Sequence, residues 1–322
     1  MRCALSAAAA STQGAAVRQA PAGAGESNAS AGNFQFAPRG ILAAPNPGAP
    51  RFDPLLRVFT PGGPVPDMPV PDASLVDAHA HLGDAVFDAD RAEVLERARA
   101  AGVGAVICVG ETLAEAERIL ELAGRHPMLR PCAGLFPTVL DEAQAQATLE
   151  FIERHRERLT AIGEVGLDRW KVTQPADLET QERIFRGFVR ASLRLDLPLN
   201  IHSRSAGRRA IEVLREEGAR RVLIHAFDGR ASTAGPAVEA GYFFSVPPSI
   251  VRSVQKQKLV RRLPLENLLL ESDSPVLGPV PDQRNEPANV RISARAIAGI
   301  RGLQEAAVLE ATSASARRLF RL

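Results

Sequence analysis

Cysteine is scarce in this 322-residue chain: Cys3, Cys108 and Cys132 are too few and too scattered for a disulfide framework, and no CxxC spacing suggests structural zinc. A reducing compartment, cytoplasm or nucleus, is the expectation. Charge of one sign is also lacking. Lys+Arg 39 against Asp+Glu 37 leaves a net +2, so no global positive field marks a nucleic-acid binder, and any phosphate recognition must be local. No run approaches 18 apolar residues, which excludes a membrane-spanning helix. Nor is there a glycine-rich phosphate loop after the first strand-like run, as a doubly wound open sheet would carry. What the chain does have is core material: it is 45% hydrophobic, at a length that fits one large domain or two small ones.

Composition divides the chain near residue 74. The first 74 residues hold 11 of the 24 Pro and 8 of the 25 Gly, without any sustained hydrophobic period. Such a segment cannot bury enough apolar surface to offset chain entropy, so residues 1–74 read as a disordered extension and 75–322 as the folded domain. The start, MRCALSAAAAS, has one Arg, small apolar residues and no acid before Glu26. It reads either as a targeting segment, for an organelle, or as a low-complexity tail.

From Leu75 the pattern becomes short β-rich runs separated by amphipathic segments. Strands are expected at 75–82, 104–109, 129–135, 160–167, 198–203, 221–227, 242–246 and 267–273. Helices are expected at 89–101, 115–124, 142–158, 178–195, 206–217, 231–240, 253–263, 293–302 and near 311–320. Strands alternating with helices imply a parallel sheet, and eight such units in 248 residues match the usual ~250 residues of a closed (β/α)8 TIM barrel.

The chemistry is concentrated at strand ends. In Asp77-Ala78-His79-Ala80-His81 the pleat should turn Asp77, His79 and His81 to one side, the barrel interior. Burying that polar triplet in an apolar strand is costly unless a cation accompanies it. Of the chain's six histidines, His202 in LNIHSR and His225 in LIHAFDG also fall near strand C-termini, the face that holds TIM-barrel active sites. His126 and His155 lie in helical contexts and read as structural. Glu164 in AIGEVGLD and Asp273 in LESDSP occupy the equivalent position on other strands. Four His and two carboxylates can hold two divalent ions, one carboxylate bridging and another accepting a proton from bound water. These N/O donors suit zinc or manganese, with magnesium less natural. Metal-dependent hydrolysis is the class implied, although the site alone does not say of which bond. Glu271 reads as one pleat deeper, Asp168 as a loop cap, and Cys108 and Cys132 as small buried hydrophobes.

LVDAHAHL, AIGEVGLD, LPLNIHSR, LIHAFDG, LESDSP and RNEP, in that order through residues 75–322, resemble the TatD-type deoxyribonucleases, amidohydrolase-like barrel enzymes. The stretch GYFFSVPPSIVRSVQKQKLVRRLPL is similar to one animal branch of that family, the third TatD-domain-containing lineage. The resemblance implies a two-metal site, with His79, His81 and Asp273 around one ion, His202 and His225 on the other, and Glu164 bridging. It implies 3′ to 5′ exonuclease action on DNA ends or single strands, with Asp273 orienting the attacking water. The sequence departs from the family at Phe136, in Gly134-Leu135-Phe136-Pro137, where the family typically has His. An aromatic ring cannot protonate a leaving group, though it can stack a terminal base.

For phosphate contacts the expected residues are Arg204, beyond His202, and Arg284 and Asn285 after the last strand. Trp170 is expected to line the groove. The basic residues Arg252, Lys256, Lys258, Arg261 and Arg262 follow helical spacing and read as a solvated face or as a track for a DNA backbone. Two other readings stay open: a hydrolase of small amides, lactones or phosphoesters, and a metal-retaining binding protein whose turnover is lost through Phe136.

Overall fold

A computed structural model describes residues 74–322 of the chain; the disorder and targeting expectations for residues 1–73 lie outside the described residues. Eight short apolar runs form strands: β1 (Leu75–Ala80), β2 (Val103–Val109), β3 (Leu129–Ala133), β4 (Ala161–Gly166), β5 (Leu199–His202), β6 (Val222–Ile224), β7 (Phe243–Val246) and β8 (Leu268–Leu270). Helices α1 (Arg91–Ala100), α2 (Leu113–Arg125), α3 (Glu142–His155), α4 (Pro175–Leu195), α5 (Gly207–Glu216), α6 (Ala231–Glu239) and α7 (Val254–Arg262) connect them, and α8 (Val290–Arg301) and α9 (Glu305–Phe320) follow β8. Each strand pairs in parallel with the next, in the order β1 to β8.

The seam closes at the level of the histidines. Asp273 N donates to His79 O at 2.9 Å and His81 N to Ser274 O at 2.8 Å. The Asp77 carboxylate accepts from Ser272 N at 2.8 Å, tying the first strand to the segment after the last. The result is a nearly closed (β/α)8 barrel.

Local signals account for the helix starts. Thr112 caps α2 by accepting from Glu115 N, Asp141 caps α3 by accepting from Ala143 N and Gln144 N, and Pro175 occupies the first turn of α4. Their buried faces, such as Ala116, Ile119 and Leu120 of α2, recur at helical spacing and pack on the outside of the strands. A smaller apolar cluster fills the barrel below the polar residues: Val76, Ala78, Ile107, Leu223 and Leu269 meet Leu319 and Phe320 of α9, which closes that end. Helix α9 begins six residues before the expected start. Its first turns bury only Val308 and Leu309 between exposed Ala306, Ala307 and Glu310, too short an apolar signal to mark the start, while the hydroxyls of buried Thr312 and Ser315 further on are satisfied by Val308 O and Glu266 O.

Candidate metal centre

β1 does not alternate regularly, its register with β2 shifting between Leu75 and Val76 and again between Asp77 and Ala80. His79 and His81 still converge, with their Nε2 atoms 3.2 Å apart. Asp77 does not join them. Its Oδ1 accepts from Ser272 N and from His79 N at 3.3 Å, so the expected triplet is a pair of imidazoles above a seam-closing carboxylate.

Around the two Nε2 atoms stand Glu164 Oε2, at 3.7 Å from His79 and 3.6 Å from His81, and Asp273 Oδ1, at 3.6 and 3.4 Å. A tetrahedron with bonds of ~2.1 Å has edges of about 3.4 Å, so each carboxylate oxygen stands about one such edge from the two imidazole nitrogens, as ligands of a zinc-sized ion would. Buried nitrogens and oxygens aimed at a common point fit a divalent ion. His79 is held neutral, as a candidate ligand must be: burial first, then His225, push its pKa down to about 3.

His79 is oriented from behind by a residue the sequence analysis passed over. Its Nδ1 lies 2.8 Å from Asn200 Oδ1, and Asn200 Nδ2 donates to Ala78 O at 3.0 Å. With the amide nitrogen committed to a carbonyl, Asn200 can only accept from Nδ1–H, which leaves the Nε2 lone pair for a ligand. The periodicity of LNIH already turned Asn200 to the same face as His202; a polar residue in that inward position was the available signal.

Glu164 faces both halves of the site. Its Oε1 is 2.6 Å from His202 Nδ1 and 2.8 Å from His225 Nε2, a second cluster closed by hydrogen bonds. Burial acts to raise the Glu164 pKa, but His225 and the hydrogen bonds from His202 and His225 outweigh it and hold the carboxyl well below its usual range. The backbone makes room for this approach. A Cβ on Gly166 would overlap the His202 carbonyl oxygen, and at φ +148 the position favours glycine.

Supporting carboxylates lie around this core. Asp168 Oδ1 accepts from Trp170 N and Lys171 N, the expected loop cap, while its Oδ2 lies 3.0 Å from His202 Nε2. Glu271 accepts from Ala226 N at 2.9 Å and from Ser245 Oγ at 2.6 Å, fixing the turn after His225.

A cavity of about 440 Å³ opens above the centre, walled by Glu111, Phe136, Arg204 and Lys256. Phe136 meets the His202 ring edge-on, centroids 5.0 Å apart. Arg204 is exposed, its guanidinium 3.8 Å from the Trp170 ring centroid, and it makes no ion pair among the described residues. Of the basic residues around α7, Arg252, Lys258, Arg261 and Arg262 are exposed and Lys256 is buried. His126 ends α2, and His155 sits on Phe151; neither joins the cluster.

Two expected substrate contacts are corrected. Arg284 reaches Val86 O at 2.9 Å and forks onto the Asp90 carboxylate, lying over Phe87, so its guanidinium is held in place pinning the loop after β8. Asn285 is buried, and its Nδ2 donates to Ser272 O and Val276 O, shaping the same loop from inside. Neither faces the cavity.

An eight-stranded parallel barrel with a histidine and carboxylate cluster at the C-terminal strand ends defines a metal-dependent hydrolase. The chain belongs to the TatD family: the family model described as TatD related DNase matches residues 76–321. Deoxyribonuclease TATDN3 of Homo sapiens is 47% identical over 259 residues, covering 76% of this chain and 94% of the relative. YabD of Bacillus subtilis, described as an uncharacterized metal-dependent hydrolase, is 31% identical over 256 residues, covering 77% and 99%. The crystal structure of YjjV, a TatD homolog of Escherichia coli, superposes with a TM-score of 0.72 at 27% identity, covering 78% of this chain and 99% of that one. Among the described residues no helix is long and apolar enough to cross a membrane.

Proposed function

We propose that this protein is a two-metal deoxyribonuclease removing nucleotides from DNA 3′ ends, its hydrolase unit being residues 75–322 behind an extension of residues 1–74. The observation that carries the two-ion reading is the division of Glu164: one oxygen belongs to the His79, His81 and Asp273 cluster and the other to His202 and His225. In this reading His79, His81 and Asp273 hold one ion, His202 and His225 the second, and Glu164 bridges. The donor set suits zinc or manganese, with magnesium as the oxygen-preferring alternative. Divalent ions here supply Lewis acidity toward a phosphoryl oxygen and acidify water.

The chain's own residues do the rest. Asn200 fixes the His79 tautomer, Asp168 restrains His202, and Glu271 fixes the turn carrying His225. Asp273, on the cavity wall, orients the attacking water and accepts its proton. Arg204, exposed at the rim and stacked on Trp170, binds a phosphate of the strand, and Phe136 stacks the terminal base. DNA is the substrate class that the family and the human relative's name support. The sparse cysteines fit action in the cytoplasm or nucleus.

The test is the full chain, stripped of metal and reconstituted with zinc, manganese or magnesium, acting on an oligonucleotide labelled to report loss of 3′ nucleotides. Metal-dependent shortening, abolished by Glu164→Gln and by His202→Ala, is the expected result. A folded, metal-loaded protein that leaves DNA intact but hydrolyses chromogenic esters would overturn the reading.

A further inference from the structure

Lys256 stands apart from the basic residues around it. Arg252, Lys258, Arg261 and Arg262 are solvated, whereas the Lys256 side chain turns inward, the residue keeping only 8% exposure, and lines the cavity with His225 and Asp273. Its ammonium donates to Ala226 O at 2.9 Å, and no carboxylate lies within 4.0 Å of it among the described residues. The neighbouring acids are engaged elsewhere. Glu271 takes Ala226 N on one oxygen and Ser245 Oγ on the other, Asp228 accepts from Ser205 N, and Asp273 Oδ1 faces the two imidazoles. An ammonium has three donors and one is used. A buried cation without a counter-ion is costly, and an arriving anion removes that cost. If the side chain only clamped the Ala226 carbonyl, a neutral donor would serve without the charge.

We propose that Lys256 is the anion-recognition residue of the cavity, binding a non-bridging phosphate oxygen of the substrate beside the metal centre and selecting phosphoesters over neutral carbonyl substrates. This rests on the phosphodiester reading above. A phosphodiester presents two non-bridging oxygens sharing a negative charge, so one can face the centre while the other meets the ammonium. A carboxylic ester or amide has a single neutral carbonyl oxygen and leaves the buried charge uncompensated. Arg204, exposed at the rim, would then meet the strand beyond the reacting phosphate.

The experiment is calorimetric titration of the full-length, manganese-loaded protein with inorganic phosphate, thymidine 5′-monophosphate and uncharged thymidine, for wild type, Lys256→Met and Lys256→Arg. Met keeps the aliphatic stem and removes the charge. Losing one charge-assisted hydrogen bond should weaken phosphate and nucleotide binding about 10- to 100-fold in K256M, with most of the loss recovered in K256R. Thymidine affinity, metal stoichiometry, metal affinity and melting temperature should stay at wild-type values. Unchanged phosphate affinity in K256M would reduce Lys256 to a clamp on Ala226, and a parallel fall in metal affinity would make it a support for His225; either overturns the proposal, as does a wild-type protein that binds no phosphate. Lys256-dependent phosphate binding by a protein that leaves DNA intact would sink the nuclease reading and keep this one. DNA shortening at the wild-type rate in K256M would do the reverse.

Discussion

Replacing Asn200 by Ala tests whether the centre is set by the tautomer of His79. The substitution removes the acceptor 2.8 Å from His79 Nδ1 and the donor 3.0 Å from Ala78 O. His79, Ala78 and Asn200 are all fully buried, so water does not replace the lost partners. Each orphaned group costs about 1–3 kcal/mol, which sums to roughly 2–6 kcal/mol of unfolding free energy. Without its acceptor the ring can place a proton on Nε2, the atom 3.2 Å from His81 Nε2, and spoil the donor set. Metal affinity should fall about 10- to 100-fold, the usual result of removing a group that orients a ligating imidazole. Urea unfolding of the metal-free protein reads the first quantity, and competition with a fluorescent chelator reads the second. Asn200→Asp keeps an acceptor for Nδ1–H and loses only the donor to Ala78, so it should destabilise while holding metal within a few-fold of wild type. A folded N200A that binds metal as tightly as wild type would refute the reasoning.

Other substitutions probe the surroundings. Gly166→Ala forces a Cβ into the His202 carbonyl and should cost at least about 1–3 kcal/mol by thermal melting, with weakened metal binding; unchanged behaviour would mean β4 and β5 can part freely. Glu182 is gripped by Arg209 and Arg186, and the Arg209 hydrogen bonds, ahead of those from Arg186, bring its carboxyl down to about 2. A depressed carboxylate contributes stability that is present above its unfolded pKa near 4.5 and lost as pH falls toward 2. Glu182→Gln should therefore cost about 1–2 kcal/mol at pH 7, after allowance for a quarter-exposed side chain, and flatten the acid limb of the melting profile. An equally steep acid limb in the variant would contradict this. Burial pushes the Cys108 thiol up to about 12 and Cys132 well above its ordinary value, so mass spectrometry after N-ethylmaleimide treatment of the native protein should find both unmodified. Arg284→Ala should lower the melting temperature and leave oligonucleotide affinity intact; an affinity loss at unchanged stability would return Arg284 to the substrate.

The barrel was legible in the sequence because β-rich runs and amphipathic segments alternate eight times, and seven of the expected strands contain an observed one, β2 alone starting one residue earlier. The site was legible because His79, His81, Glu164, His202, His225 and Asp273 are all polar residues at strand ends that otherwise want aliphatics. What escaped depends on partners distant in the chain. Asp77 obeys the pleat on paper, but the irregular register of β1 turns its carboxylate to the seam. Asn200 looks ordinary until His79, 121 residues earlier, is seen to need an acceptor. Arg284 looks available until Asp90 is placed beside it, 194 residues away. Lys256 was one of five basic residues at helical spacing, and only packing shows that it alone points inward.

The first and last strands meet through the backbones of the very residues that carry the imidazoles and the carboxylate: His79 with Asp273, His81 with Ser274. Those partners are nearly two hundred positions apart, 195 between Asp77 and Ser272. A ribosome-bound chain that has not yet released Asp273 therefore lacks both one candidate ligand and the hydrogen bonds that seat two others. The cluster completes itself only when the ring of strands is tied shut, so a chain truncated just before Asp273 would retain the residues of all eight strands but neither Asp273 nor the backbone bonds to His79 and His81.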